Sequence, residues 1–263
     1  MPNAPAASRW VPPTLTLLLI VALWQLAVVV FRLPSYFLPA PSQVASVLVA
    51  QMPYIWRNTA ATGFEQGSAF VISSVVGIAI GVASAKSRLF EATVYRLVIA
   101  SQSVPKLALA PLFTVWFGFG LTPKLLTAFL IAFFPVVIGT VVGLKSVDPQ
   151  TVRLARSIGL GHLATLRKVE LPAALPSIFG GMKIAIAFSV VGAVVGEFVG
   201  SDIGLGHLAE VASTQPDMPL LFASLVMLTL LGLVGWGLVS IAERVAIPWR
   251  STQEEETLVG WSL

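Results

Sequence analysis

Val147 to Pro172 reads VDPQTVRLARSIGLGHLATLRKVELP, a polar, basic stretch set between long apolar runs. It carries Arg153, Arg156, Arg167 and Lys168 and is patterned as two short helices broken at a glycine. Asp148 suits an N-cap, and Pro149 suits the first helical position, where a missing N–H costs nothing. Gly159 can take the left-handed conformation that ends a helix, and Gly161 loosens the joint further. A second helix is predicted from about His162 to Val169, stopped by Pro172. Such an elbow, on an otherwise apolar chain, reads as a docking surface for a soluble partner.

The surrounding composition says what that elbow is attached to. Hydrophobic residues make up 56% of the 263 and charged residues only 11%, against about a quarter charged in an average soluble chain. The apolar residues come in blocks near the roughly 20 helical residues that cross a 30 Å hydrocarbon core. Predicted spans are about 15–31, 60–85, 92–112, 125–144, 177–199 and 220–242, an all-α polytopic membrane protein with six transmembrane helices. The first run is too long for a signal-peptide core and lacks a small-x-small cleavage site, so a retained helix is expected. An amphipathic helix capped by Ser42 is predicted in the segment after it. In the second run Ala69, Ser73, Gly77, Gly81 and Ala85 fall every fourth position, a smooth face for close helix contact. Pro105 and Pro111 interrupt the third.

Charge gives a direction. With the N-terminus inside, Arg9, Lys86, Arg88, Lys145, Arg153, Arg156, Arg167, Lys168, Arg244 and Arg250 face the cytoplasm, whereas Arg32, Arg57 and Lys124 face out. Ten against three is a clear positive-inside bias. Both termini and the elbow are therefore expected in the cytoplasm, and the tail with Glu254, Glu255 and Glu256 is expected to be solvated.

The elbow also carries a resemblance. Gly159 is followed, after nine intervening residues, by Val169-Glu170-Leu171-Pro172, which is similar to the right half of the EAA loop of ABC importer permeases, with Val for Ile. In the left half, Arg153-Leu154-Ala155 keeps only the last alanine of EAA. Leu38-Pro39-Ala40-Pro41-Ser42, Trp116-Phe117-Gly118, Gly196-Glu197-Phe198-Val199-Gly200 and Gly204-Leu205-Gly206 resemble the nitrate/sulfonate/taurine branch of these permeases. The resemblance runs from about Leu38 to Arg250 and implies a type I ABC importer permease fold. It implies a transmembrane type-1 domain over 58–245, holding a coupling loop at 147–172, after an N-terminal segment 1–57 and before a tail 246–263. It further implies a bacterial inner (plasma) membrane location. The implied partners are a second copy of the chain, two cytoplasmic ATPase subunits, a periplasmic or lipid-anchored binding protein and membrane lipid. Contact with the ATPase would fall on Arg153, Ala155, Arg156, Gly159, Val169, Leu171 and Pro172. The implied solute is small and anionic, such as nitrate, taurine or an alkanesulfonate; a thiamine pyrimidine precursor or an aromatic acid is the alternative.

Ionisable residues inside spans are functional suspects. Glu65 and Glu197 each lie near the outer end of their helix, as gate groups or as members of an ion pair. Glu197 belongs to Gly192-xxx-Gly196-xxx-Gly200, where the backbone can pack closely. Lys183 is close enough to the cytoplasm to snorkel. Ser101, Gln102 and Ser103 form a polar cluster just before a proline, where a backbone break is tolerated at depth only if protein or a water-filled cavity satisfies it. They are candidate pathway residues. Trp116 to Gly120 reads as an interfacial anchor, and the Gly200–Gly206 loop as a gate or a plain connector.

Other classes are excluded or weakened. The chain has no cysteine, so disulfides, cysteine zinc sites and thiol catalysis are absent. Its two histidines, His162 and His207, fall on opposite sides of the predicted bilayer, and no metal site or cofactor is expected. No H-E-x-x-H, G-x-S-x-G or G-x-x-x-x-G-K-[ST] occurs, so the chain is not expected to be an enzyme and any ATP hydrolysis belongs to a separate subunit. No basic patch with interleaved aromatics points to nucleic acid. An ion-coupled carrier would call for paired midplane acids and an inverted repeat, neither of which is evident.

Overall fold

The computed structural model describes residues 6–249, with side chains from Thr14 onward. Arg250, Glu254, Glu255, Glu256 and the rest of the expected tail beyond residue 249 lie outside the described residues. The fold is helical: α1 (Ala6–Val30), α2 (Pro41–Ala50), α3 (Met52–Lys86), α4 (Arg88–Ser103), α5 (Lys106–Phe117), α6 (Leu121–Lys145), α7 (Pro149–Ser157), α8 (His162–Gly200), α9 (Leu205–Thr214) and α10 (Met218–Ala246). No strand occurs among the described residues. Helices α3, α6, α8 and α10 are each long and apolar enough to cross a membrane. The apolar part of α1, Thr14–Val30, rises about 25 Å at 1.5 Å per residue, the short end of what spans a bilayer.

The third expected span is not one helix. Helix α4 stops at Ser103, Val104 is extended, and α5 departs at 90°. Pro105 cannot donate to the turn before it and pushes Val104 out of the helical region, so the chain breaks there. The pair still crosses from one end to the other. Lys145 at the end of α6 pairs with Glu91 at the start of α4, while α5 runs into Gly118 (φ 77°), Gly120 (φ 133°) and the opposite end of α6.

Two compact units appear. One takes residues up to Ala61 together with Asp202–Thr229. Its core is Ile55, Leu205 and Leu208, all fully buried, with Val44, Ala212, Leu220 and Ala223. Here Ser42 is not the cap of α2: Ala40 holds that position, and its N–H is taken by Gln43 Oε1 at 3.0 Å. Ser42 lies in the first turn and donates its N–H to Gln25 Oε1 at 3.1 Å, which gives that polar residue of the first run its task. Asn58 Oδ1 accepts the Gly204 N–H at 2.8 Å and pins the loop that read as a gate.

The other unit, Thr62–Ser201 with the residues from Leu230 on, is built on the pairing of α6 with α8. Glycines set their separation. A Cβ on Gly139 would meet the Ser177 carbonyl oxygen at 2.7 Å, and one on Gly143 the Ala174 carbonyl oxygen at 2.8 Å. Helix α3 packs its predicted smooth face on α6: a Cβ on Gly77 would strike Val136 at 2.8 Å, and Ser73 Oγ donates to the Phe129 carbonyl at 3.1 Å.

Candidate functional site

The elbow forms as its sequence dictates, with one correction. Asp148 caps α7 by accepting the Gln150 N–H at 2.9 Å, and Pro149 occupies the first turn. That hydrogen bond, foremost, holds the Asp148 carboxyl below the ordinary carboxylate range. Gly159, at φ 91°, closes the helix. Its N–H reaches the Arg156 carbonyl at 3.0 Å, and the Leu160 N–H reaches Ala155 at 3.2 Å, the paired bonds of a Schellman ending. Gly161 is not left-handed; at φ −65° it opens the next helix instead. Thr165, fully buried, donates to the Gly161 carbonyl at 3.0 Å and tightens the corner.

Pro172 does not stop that second helix. A widened π-turn over Leu166–Glu170 lets the Leu171 N–H bond Leu166, five residues back. This moves aside the carbonyl that the proline ring would strike. The helix therefore runs unbroken from His162 to Gly200, and the elbow's second half is one rod with the span that was expected to begin near Ser177. Glu170, buried in the π-turn, pairs with Lys86 at the end of α3.

Of the residues expected to meet a partner, Arg153, Arg156 and Gly159 are exposed, Val169, Leu171 and Pro172 are half-buried, and Ala155 is buried inside the corner. Sequence reasoning missed the apolar knuckle beside them. Leu154, Ile158 and Leu163 are 65%, 71% and 67% exposed. The i, i+4 spacing of Leu154 and Ile158 was the available signal. Arg167 and Lys168 flank them, also exposed.

At the other end of the same helices lies a buried ionic cluster. Lys124, expected to face outside water, is 5% exposed. Its Nζ pairs with Glu65 and donates to Ser201 Oγ at 2.9 Å. Gly196 lets it sit there, since a Cβ on that residue would meet Lys124 Cα at 2.8 Å. Glu197 is fully buried and accepts from Thr62 Oγ1 at 2.6 Å. Its carboxyl also lies within interaction distance of Glu65. Lys124 thus pairs with Glu65, Glu65 sits beside Glu197, and both acids are buried. Lys183, the basic residue singled out within a span, pairs with Glu243 at 2.5 Å and sits 5.4 Å from the Trp236 ring.

The open space is elsewhere. A cleft of about 440 Å³ lies beside the α4–α5 break, lined by Gln102 and Lys106 from the break, Phe134, Pro135 and Gly139 from α6, and Ser177 and Phe188 from α8. Of the three candidate pathway residues, Gln102 lines it; Ser101 turns back to the Val98 carbonyl at 2.7 Å, and Ser103 is exposed. Lys106 went unremarked in the sequence because it falls in a run that looked like an ordinary kinked span. Its Nζ lies 3.9 Å above the Phe134 ring. Among the described residues it makes no ion pair, although a charge at a helix centre costs about 2.5–3.5 kcal/mol even on the lenient insertion scales.

The chain is 36% identical over 239 residues to a riboflavin transport system permease protein of Chloroflexus aurantiacus, covering 90% of this chain and 89% of that one. It is 33% identical to a formylaminopyrimidine transport permease protein of Halalkalibacterium halodurans (92% and 96% covered) and 30% identical to an aliphatic sulfonates transport permease protein of Escherichia coli (88% of each). Its fold matches a chain of the MetNI methionine ABC transporter, solved in inward-facing conformations, with TM-score 0.66 at 21% identity, covering 75% of this chain and 98% of that one. The family profile of the binding-protein-dependent transport system inner membrane component spans residues 75–247, which hold the elbow, the α6–α8 pair and the cleft. The chain belongs to that family: it is a multi-pass inner-membrane permease subunit of an ABC importer.

Proposed function

We propose that this chain forms, with a second copy of itself, the pathway of an ATP-driven importer, and that the elbow is where it receives work from two cytoplasmic ATPase subunits. The observation that carries the reading is the elbow's build. An exposed apolar knuckle in a basic rim, Leu154, Ile158 and Leu163 among Arg153, Arg156, Arg167 and Lys168, joins α7 through the Gly159 corner to the start of a 39-residue helix. Exposed apolar residues rimmed by polar ones mark docking sites. When the ATPase pair closes, force on the knuckle passes the Gly159 corner and travels along α8, and Glu170–Lys86 carries α3 with it. The far ends of α3, α6 and α8 meet at the Glu65–Lys124–Glu197 cluster, which acts as the outer gate. Alternating access is then a rigid-body change between two packed states, biased by a partner that binds one of them better.

On this reading both termini are cytoplasmic, residues 58–245 are the transport domain, 1–57 an accessory span with an outer helix, and 246–263 a cytoplasmic tail. A periplasmic or lipid-anchored binding protein delivers the solute. Glu65, Glu197, Ser101, Gln102 and Ser103 remain the gate and pathway set, with Lys106 and Lys124 added. For the solute, the motif resemblance favours a small anion, nitrate, taurine or an alkanesulfonate; the relatives named for riboflavin and formylaminopyrimidine favour a heterocycle. Proteoliposomes holding the chain with its ATPase and binding protein test the whole scheme. Accumulation should need ATP inside and survive an ionophore. Accumulation that collapses with the ionophore and ignores ATP would make the chain an ion-coupled carrier instead.

A further inference from the structure

Lys106 and Gln102 stand at a broken helix, at mid-membrane depth, with open space before them, and among the described residues Lys106 makes no ion pair. Phe134, over whose ring the Lys106 ammonium sits, lies about 20 Å from one end of α6 and about 16 Å from the other at 1.5 Å per residue. That depth is far from lipid headgroups, so the ammonium is not placed there to hold a phospholipid phosphate. Backbone breaks at such depth occur where they line a cavity, and broken helices in transporters aim polar groups at solute. Pro135, in the same wall, has no N–H for the Ile131 carbonyl, and both residues line the cleft.

The lining discriminates among solutes. A small hydrophilic anion needs several donors to replace its water, and here the polar side chains are Lys106, Gln102 and Ser177. The remaining walls are apolar, with Phe134 and Phe188 offering ring-sized surfaces. About 440 Å³ is the scale of an organic ligand site rather than of a single ion. We propose that this cleft is the mid-membrane solute site of the permease and that it takes a flat heteroaromatic molecule with an acceptor-rich or anionic edge. Lys106 Nζ and the Gln102 amide hold that edge, and the ring lies against the Phe134–Phe188 walls. This rests on the permease reading above and names its substrate class.

The test uses the full chain with its ATPase and binding protein in proteoliposomes, and labelled riboflavin, formylaminopyrimidine and taurine as separate probes. Wild type should accumulate a ring probe in preference to taurine. Lys106→Met should lower that uptake at least tenfold per reconstituted molecule, Lys106→Arg should retain most of it, and Gln102→Ala should lower it about threefold. The ATPase should still co-purify with each variant. Taurine uptake without ring uptake, no uptake of any probe while the ATPase co-purifies, or unchanged ring uptake in Lys106→Met each overturns the site. So does dissociation of the homodimer in Lys106→Met, which would make the ammonium a contact with the second copy. If Lys106→Met is not recovered from membranes, Gln102→Ala decides, and wild-type uptake there overturns the proposal. Failure of the wild type to hold any ATPase, with no ATP-dependent uptake, instead sinks the permease reading itself.

Discussion

Lys124 pairs with the buried Glu65, and removing it leaves that carboxylate without its cation. Breaking a buried pair in this way costs about 3–5 kcal/mol. Lys124→Met is therefore expected to lower the unfolding temperature of the detergent-solubilised protein steeply, and adding Glu65→Gln should recover at least half of the loss. Equal melting of the single and double variants would mean the cluster is not electrostatically coupled. Glu197→Gln should be far milder, because its amide oxygen still accepts from Thr62 Oγ1. If the cluster is a gate, that variant folds normally yet changes uptake, and unchanged uptake at equal abundance would return Glu197 to a structural role. At the elbow, Asp148 needs its charged form to cap α7 well. Its pKa is lowered by the Gln150 N–H, so its contribution is complete above the ordinary carboxylate range near 3.9. That contribution fades only as pH falls through the still lower folded value. Coupling between pH 6 and 8 should not vary on its account. Glu65 and Glu197 were legible as suspects because acids in apolar runs are rare. Lys124 was not, since a lysine just after WFGFG looks like loop, and nothing local reveals a partner 59 positions away.

Among the elements, the elbow's first half was readable down to its cap and its left-handed glycine, since both are local chemistry. Its second half was not. Pro172 reads as a stop unless the π-turn before it is known, and a widened turn leaves no sequence signature as plain as a proline. The break after Ser103 was legible in Pro105, which did end its helix, whereas the 90° angle of the bend was not. Helix pairing offers a clean test in adjacent glycines. A Cβ on Gly181 would run into the Pro135 carbonyl oxygen, which is backbone and cannot yield, whereas one on Gly180 would meet nothing within 4 Å. Gly181→Ala should lower stability by about 1–3 kcal/mol through overpacking, and Gly180→Ala should be neutral or slightly stabilising, since alanine is the better helix former. Similar thermal melts for the two would mean α6 and α8 do not approach as closely as described.

In the whole molecule, force from a docked partner must pass Gly159 to reach the far end of α8. The residue sits at φ 91° with open space where a Cβ would go. Any cost of a side chain there is thus conformational, on the order of 1–2 kcal/mol for a residue other than glycine, plus whatever it obstructs in a docked partner. Gly159→Val should insert and fold, because the strain lies outside the spans, yet lose ATPase co-purification and ATP-driven uptake. Gly159→Asn should keep part of both, since asparagine tolerates the left-handed region. Sidedness must agree for this to be coupling rather than damage. On the cysteine-free background, single cysteines at Ser42 and Ser213, both exposed, should react with an impermeant reagent from outside intact cells. One at Ser251, beyond the described residues, should react only after the membrane is opened. The parity behind this forecast is physical: the α4–α5 pair begins at the elbow end, beside Lys145, and finishes at the opposite end of α6, so it counts as a crossing despite its bend. Labelling of Ser251 in intact cells would put the elbow on the wrong face for a cytoplasmic ATPase. Wild-type coupling in Gly159→Val, with labelling as expected, would instead leave the topology standing and reduce the elbow to a loop.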